Sequence, residues 1–286
     1  MKKDVLGRIV TATVTDENEK YIYSQIEGNT FQTAKSELKK LPKIGSQLTG
    51  FAYENEHHHL QLTKNTPKVG LGRYAWGTVV SVQRDLGVFV DIGLPNKDIA
   101  VSLDDLPELH ELWPKKGDRL MIGLKLDNKG RLWGALASET MFQGISQKAK
   151  PDMSNKDVKC VVYRLKKVGT RVLTEGYCLG FIHPTQRMEE PRLGQVLNAR
   201  VIAVKDDGTL NLSLKPRAFE VIGDDAQMIL AALQHSSGSL NFSDKSTPED
   251  IKEYFGISKG QFKRALGHLL KAGAVTQKEG SIFLNE

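Results

Sequence analysis

The chain has only two cysteines in 286 residues, Cys160 and Cys178. That is too few for a disulfide-built scaffold, and they form neither a Cys-x-x-Cys pair nor a metal-ligand spacing. They read as two reduced thiols. No apolar run approaches the ~18 residues of a membrane-spanning helix. The N-terminus, Met1-Lys2-Lys3-Asp4 followed by Arg8, Thr11 and Thr13, lacks the apolar stretch of a signal peptide. Gly-x-Ser-x-Gly, P-loop, dinucleotide and HExxH motifs are all missing, which leaves no catalytic constellation. The paired acids Asp104-Asp105 and Asp206-Asp207 fall in loops or turns. His57-His58-His59 reads as a solvated hairpin tip, although His57 and His59 would share a face in a strand and could hold a metal. Neither a metal nor a cofactor is expected, and the chain reads as non-enzymatic and cytoplasmic.

What is present is a pattern used three times. Pro-x-x-Gly-x-x-Leu stands at Pro42–Leu48, Pro114–Leu120 and Pro191–Leu197, at offsets of 72 and 77 residues. That spacing exceeds a solenoid repeat and suits a small β-barrel. Proline cannot occupy a central strand and so ends a loop, glycine permits the turn, and leucine begins the next strand. About thirty residues before each copy lies a β-branched run: Ile9-Val10, Val79-Val80 and Val161-Val162. After the second copy, Leu120, Ile122, Leu124 and Leu126 alternate with Met121, Gly123 and Lys125, predicting one apolar strand face. Asp127-Asn128-Lys129-Gly130 and Asp206-Asp207-Gly208 are hairpin-turn sequences that ask for positive φ. The expected fold is mostly β: three tandem OB-type five-stranded barrels followed by a C-terminal α/β module.

The expected domains are 1–66, 70–138, 157–216 and 221–286, with 138–156 a linker holding about one helical turn. Lys215-Pro216-Arg217 ends the third barrel. The last segment changes to helical period, with Ala226, Ile229, Leu230 and Leu233 on one stripe. Thr247-Pro248-Glu249-Asp250 and Ser258 with Gln261 are helix starts, and Ala274–Gln277 and Ser281–Leu284 alternate around Lys278-Glu279-Gly280. Two helices, a turn, a third helix and a hairpin make a winged helix-turn-helix. Net charge is +1 over 1–67, zero over 68–140, +6 over 141–220 and −1 over 221–286. The excess therefore lies on the third copy and the segment leading into it, where a phosphate backbone is attracted first.

Gly77-Thr78-Val79-Val80, Leu86-Gly87-Val88-Phe89-Val90-Asp91-Ile92-Gly93, Val101-Ser102-Leu103, Gly117-Asp118 and Asp127-Asn128-Lys129-Gly130-Arg131 together resemble an S1 RNA-binding domain. The third copy adds Leu179-Gly180-Phe181-Ile182-His183, similar to the S1 segment whose histidine stacks on a base. The resemblance implies that Phe89 is one of two stacking aromatics, with Leu86 replacing the other, and that Arg131 is a basic residue near RNA. Ser102 stands where the histidine would be. The third copy keeps His183 and has Val168, Val172 or Arg171 near the aromatic positions, while the divergent first copy offers Tyr21 and Tyr23 on one strand face. Three S1-like modules followed by a winged helix resemble the conserved virulence factor B family of bacterial RNA-binding regulators. The resemblance rests on domain order and covers nearly the whole chain. It implies an influence on virulence-factor expression.

Unpaired bases stack on aromatic or histidine rings while Lys and Arg track phosphates. Tyr163, Arg164, Lys166, Lys167, Arg171 and His183 bring both kinds together in the third copy. In the winged helix, Lys259, Lys263, Arg264, His268 and Lys271 lie off the apolar stripe of the third helix, beside Gly260 and Gly267. DNA and a protein partner both stay open for that face. The expected partner of the barrels is single-stranded RNA, bound additively across tethered modules and without a membrane. A winged-helix DNA regulator, or an adaptor on the ribosome or RNA polymerase, is the alternative.

Overall fold

The computed structural model describes residues 2–215 and 223–285. The boundaries expected at residues 216 and 221 lie outside them. The chain divides into two compact units, Met1–Leu214 and Lys215–Glu286.

The first unit holds three closed five-stranded barrels. A short helix α1 (Lys2–Val5) precedes barrel one, formed by β1 (Ile9–Glu17), β2 (Tyr21–Ile26), β3 (Asn29–Ala34), β4 (Gln47–Glu54) and β5 (Leu60–Thr63). Barrel two is β6 (Ala75–Gln83), β7 (Gly87–Asp91), β8 (Ile99–Ser102), β9 (Arg119–Leu126) and β10 (Leu132–Leu136). Barrel three is β11 (Asp157–Lys166), β12 (Gly169–Thr174), β13 (Leu179–Ile182), β14 (Val196–Val204) and β15 (Leu210–Ser213). In each, the third and fifth strands close the barrel in parallel and every other pairing is antiparallel.

The repeated motif has one structural task in all three barrels. Gly45, Gly117 and Gly194 take φ of +83°, +92° and +78°, a region open to glycine at little cost. Their N–H groups donate to the carbonyls of Val14, Val79 and Val162 at 2.7, 2.8 and 2.8 Å. The valine N–H groups donate in turn to the carbonyls of Ser46, Asp118 and Gln195. Those valines sit where the first strand of each barrel slips register, at Val14/Asp16, Val79/Ser81 and Val162/Arg164. The motif therefore pins a β-bulge, and a bulge re-aims the side chains beyond it.

The alternation expected in β9 holds for Leu120, Ile122 and Leu124, which enter the core of barrel two. The opposite face is covered as well. Met121 packs with Phe142, and Tyr74 lies over Gly123, where a Cβ would meet its ring at 2.9 Å. β4 behaves likewise: Leu48 and Ala52 face the core of barrel one, while Phe51 and Tyr53 join that of barrel two. The fourth strand thus serves a second interface, which one barrel's period cannot reveal. The Tyr53 hydroxyl bonds Asn96 Oδ1 at 2.7 Å across the first seam, and Arg192 meets Asp118 at 3.2 Å across the second.

The 138–156 segment is more than a linker. Ser138 caps α2 (Glu139–Ile145), and Phe142, 2% exposed, stacks on Tyr163 at 4.1 Å and lies 6.1 Å from Trp76. One aromatic gives the helix a buried side and wedges it between barrels two and three.

The second unit is a winged helix. α3 (Asp224–His235), α4 (Pro248–Phe255) and α5 (Lys259–Lys271) pack against a sheet of β16 (Ser239–Leu240), β17 (Val275–Lys278) and β18 (Ser281–Leu284), in order β16-β18-β17. Thr247 caps α4, Gly256 ends it at φ +72°, and Ser258 with Gln261 forms the capping box of α5. Among the described residues no helix is long and apolar enough to cross a membrane.

Candidate nucleic-acid interface

Beyond each pinned bulge the register defines one equivalent position on the second strand. It is Tyr23 in barrel one, paired with Asp16 and Gln32. In barrel two it is Phe89, paired with Ser81 and Ala100. In barrel three it is Arg171, paired with Arg164 and Phe181. These rows cross the second and third strands, the face with which OB-type barrels hold nucleic acid. The register selects Arg171 over Val172, which is fully buried, and Val168, which is exposed at the hairpin tip. Tyr21 stands beside Tyr23 on the same side of β2, and the Tyr23 hydroxyl accepts from Asn18 Nδ2 at 2.9 Å.

In barrel two Phe89 is half-buried and lines a groove at the seam with barrel one. Arg131 stands at the rim, its guanidinium 5.7 Å from the centre of the Trp133 ring and its Nε 2.7 Å from Asp127. The Trp133 indole also donates to Asp127, at 3.3 Å. Hydrogen bonds from the backbone and side chain of Arg131 hold the Asp127 carboxyl down at about 2. Trp133 had a signal in the sequence, since it stands two residues after Arg131. Lys97 and His58, which line the same groove, had none, because barrel one supplies His58 from its β4–β5 turn.

In barrel three His183 is exposed and held at the end of β13. Its Nδ1 accepts from the Thr185 N–H at 3.2 Å, and its ring meets Phe181 edge-on at 6.4 Å. Ser102 holds the same capping place in barrel two. Phe181 covers Gly169, whose missing Cβ would lie 2.5 Å from that ring. Its signal lies within the Leu179–His183 segment, two residues before the histidine.

The cations of barrel three are not all open to a ligand. Lys166 bonds Glu139 at 2.6 Å, and the Nε atoms of Arg164 and Arg171 each lie 3.6 Å from the same carboxylate. Glu139 begins α2, and the three cations, Lys166 first, hold its carboxyl below the usual range. The sequence groups Tyr163 with this ligand face. In the fold its ring stacks on Phe142, which closes one side of it to a base, because the bulge turns it toward barrel two. Lys167 is exposed at the hairpin.

On the winged helix, Lys263, Arg264, His268 and Lys271 are exposed along α5 and Lys259 is half-buried. Gly260 and Gly267 leave that face low: no atom lies within 4 Å of a Cβ built on Gly267. Among the described residues no group of three or more His, Cys, Asp or Glu side chains could hold a metal.

Comparison with known proteins covers the whole chain. Family models match as an S1 domain over residues 6–65, the CvfB first S1-like domain over 74–135, the second domain of virulence regulatory factor CvfB over 142–216, and a CvfB-like winged helix domain over 227–284. Conserved virulence factor B of Staphylococcus epidermidis is 36% identical over 291 residues, covering 100% of this chain and 97% of that one. YitL of Bacillus subtilis is 40% identical over 252 residues, 88% of this chain and 84% of that one. A crystal structure of a Streptococcus pneumoniae multidomain protein with nucleic acid binding domains is 48% identical, covers 99% of both chains and superposes with a TM-score of 0.74.

Proposed function

The chain belongs to the conserved virulence factor B family, and from that premise we propose that it is a non-catalytic protein that binds single-stranded RNA and regulates gene expression after transcription, virulence factors included. The supporting observation is the shared register position. Three barrels present Tyr23, Phe89 and Arg171 on the face used by S1 and OB modules, each beside a pinned bulge. Aromatic and histidine rings take unpaired bases, and the charge excess at 141–220 takes phosphates. S1-like and winged-helix domains are binding architectures, and nothing in this reading requires turnover.

A filter-binding titration of the full chain with single-stranded RNA tests it. Affinity is expected to fall steeply with salt, because each phosphate neutralised contributes ~0.7 to the log–log slope on a single strand. His183→Ala and the Lys166→Ala/Lys167→Ala pair should each weaken binding. Absence of RNA retention at low salt overturns the proposal. The exposed cations and bare glycines of α5 favour a second contact there, with duplex DNA or with a protein.

A further inference from the structure

The groove at the first seam has a volume of about 170 Å³. That is well below the ~300–1,000 Å³ of a site for a drug-sized ligand, and suits one planar heterocycle. Barrel two supplies Phe89, Ala100 and Trp133, and barrel one supplies Leu6, Glu54 and His58. The two sides are tied together. Tyr53 is fully buried and its hydroxyl bonds Asn96 at 2.7 Å, while the Glu56 N–H donates to the Asn96 carbonyl at 3.3 Å. Gly7 is packed so closely that a Cβ would meet Leu132 at 3.0 Å. The pocket is therefore preformed, and neither barrel makes it alone.

Its chemistry suits a base better than a phosphate. Glu54 and Asp98 are lining carboxylates, with Glu56 and Asp91 close enough to act on them or on Lys97. Burial first, then Asp91 and Glu56, raise the Asp98 carboxyl, and burial lowers Lys97. Of the cations, Arg131 is bound to Asp127, His58 Nδ1 sits 2.7 Å from Glu54, and Lys97 lies in the field of Glu54 and Glu56. With each cation already beside a carboxylate, a phosphate gains little here, whereas a neutral ring against Phe89 or Trp133 would meet hydrogen-bond acceptors. Guanine offers an N–H and an amino group on one edge, and cytosine and adenine each offer an amino group. Uracil offers two carbonyls around a single N–H.

We propose that this seam is a pocket for one unpaired nucleobase of a bound strand, completed by barrel one, in which Glu54 and Asp98 favour amino-bearing bases, guanine first, over uracil. The proposal deepens the RNA-binding reading above and rests on it.

The test is an anisotropy titration of the full chain with fluorescein-labelled RNA decamers at one low salt concentration. The decamers are all-uridine, or all-uridine with a single central G, C or A. A hydrogen bond to a charged acceptor predicts binding of the G decamer about tenfold tighter than all-uridine. Glu54→Gln and Asp98→Asn should each shrink that ratio severalfold, since an amide presents donors to the same edge. Asp98 lines the groove but belongs to neither barrel's core, so its substitution leaves the seam packing intact. Equal affinity for the four decamers, or a ratio that neither substitution moves, overturns the inference. Failure to bind any decamer removes the RNA-binding reading itself. GMP displacing the G decamer at the decamer's own affinity would assign the pocket to a free nucleotide, and that also overturns the inference.

Discussion

The proposed ligand face of barrel two is arranged around one carboxylate. Asp127 orients Arg131 and Trp133 together, and its pKa stands at about 2 against an ordinary 3.8. A depressed acid stabilises the folded state fully above its unfolded value and loses that contribution as pH falls through the folded one. The stability gap between the native chain and Asp127→Asn should therefore persist at pH 5 and close between about pH 4 and 2, as read by denaturant titration at each pH. At Cys160 burial has the opposite effect, raising the thiol to about 12. Iodoacetamide at pH 8 should leave Cys160 unmodified in the native chain and alkylate it only in denaturant, as read by mass spectrometry.

Among the elements, α2 touches both the packing of barrels two and three and the cations of barrel three. Phe142→Ala should destabilise the first unit by about 3–5 kcal/mol, the range for truncating a buried aromatic, measured by thermal or denaturant unfolding. Glu139→Gln should do the reverse for binding. With Lys166, Arg164 and Arg171 released, RNA affinity rises at low salt, and the salt slope steepens by ~0.7 for each further phosphate neutralised. Unchanged affinity and slope would show that these cations do not face RNA. The barrels and winged helix were legible because strand and helix periods, the Pro-x-x-Gly motif and the caps at Thr247 and Ser258 are local signals. The wedge was not legible. Phe142 is one apolar residue in a polar stretch, and its partners Trp76 and Tyr163 belong to different barrels. The same holds for the base pocket: Phe89 and Arg131 came from the S1 resemblance, but His58 and Glu54 reach it only through the packing of β4.

For the whole molecule, the chain divides into two compact units at residue 215, and the proposed reading assigns them separate contacts. Deleting residues 221–286 should preserve single-stranded RNA binding and abolish any binding of duplex DNA, compared by gel shift on the same preparations. Within the first unit the barrels are not beads on a string. Tyr53 with Asn96, Asp118 with Arg192, and Phe142 between Trp76 and Tyr163 fix the spacing from one barrel to the next. Flexibly tethered modules raise affinity smoothly as a ligand lengthens. Modules at fixed separations instead engage one at a time, each only when the strand is long enough to reach it. Affinity plotted against oligomer length should then climb in steps. On the proposed reading, such a chain would gauge the length of the unpaired strand it holds, as a ruler does, besides reading its composition.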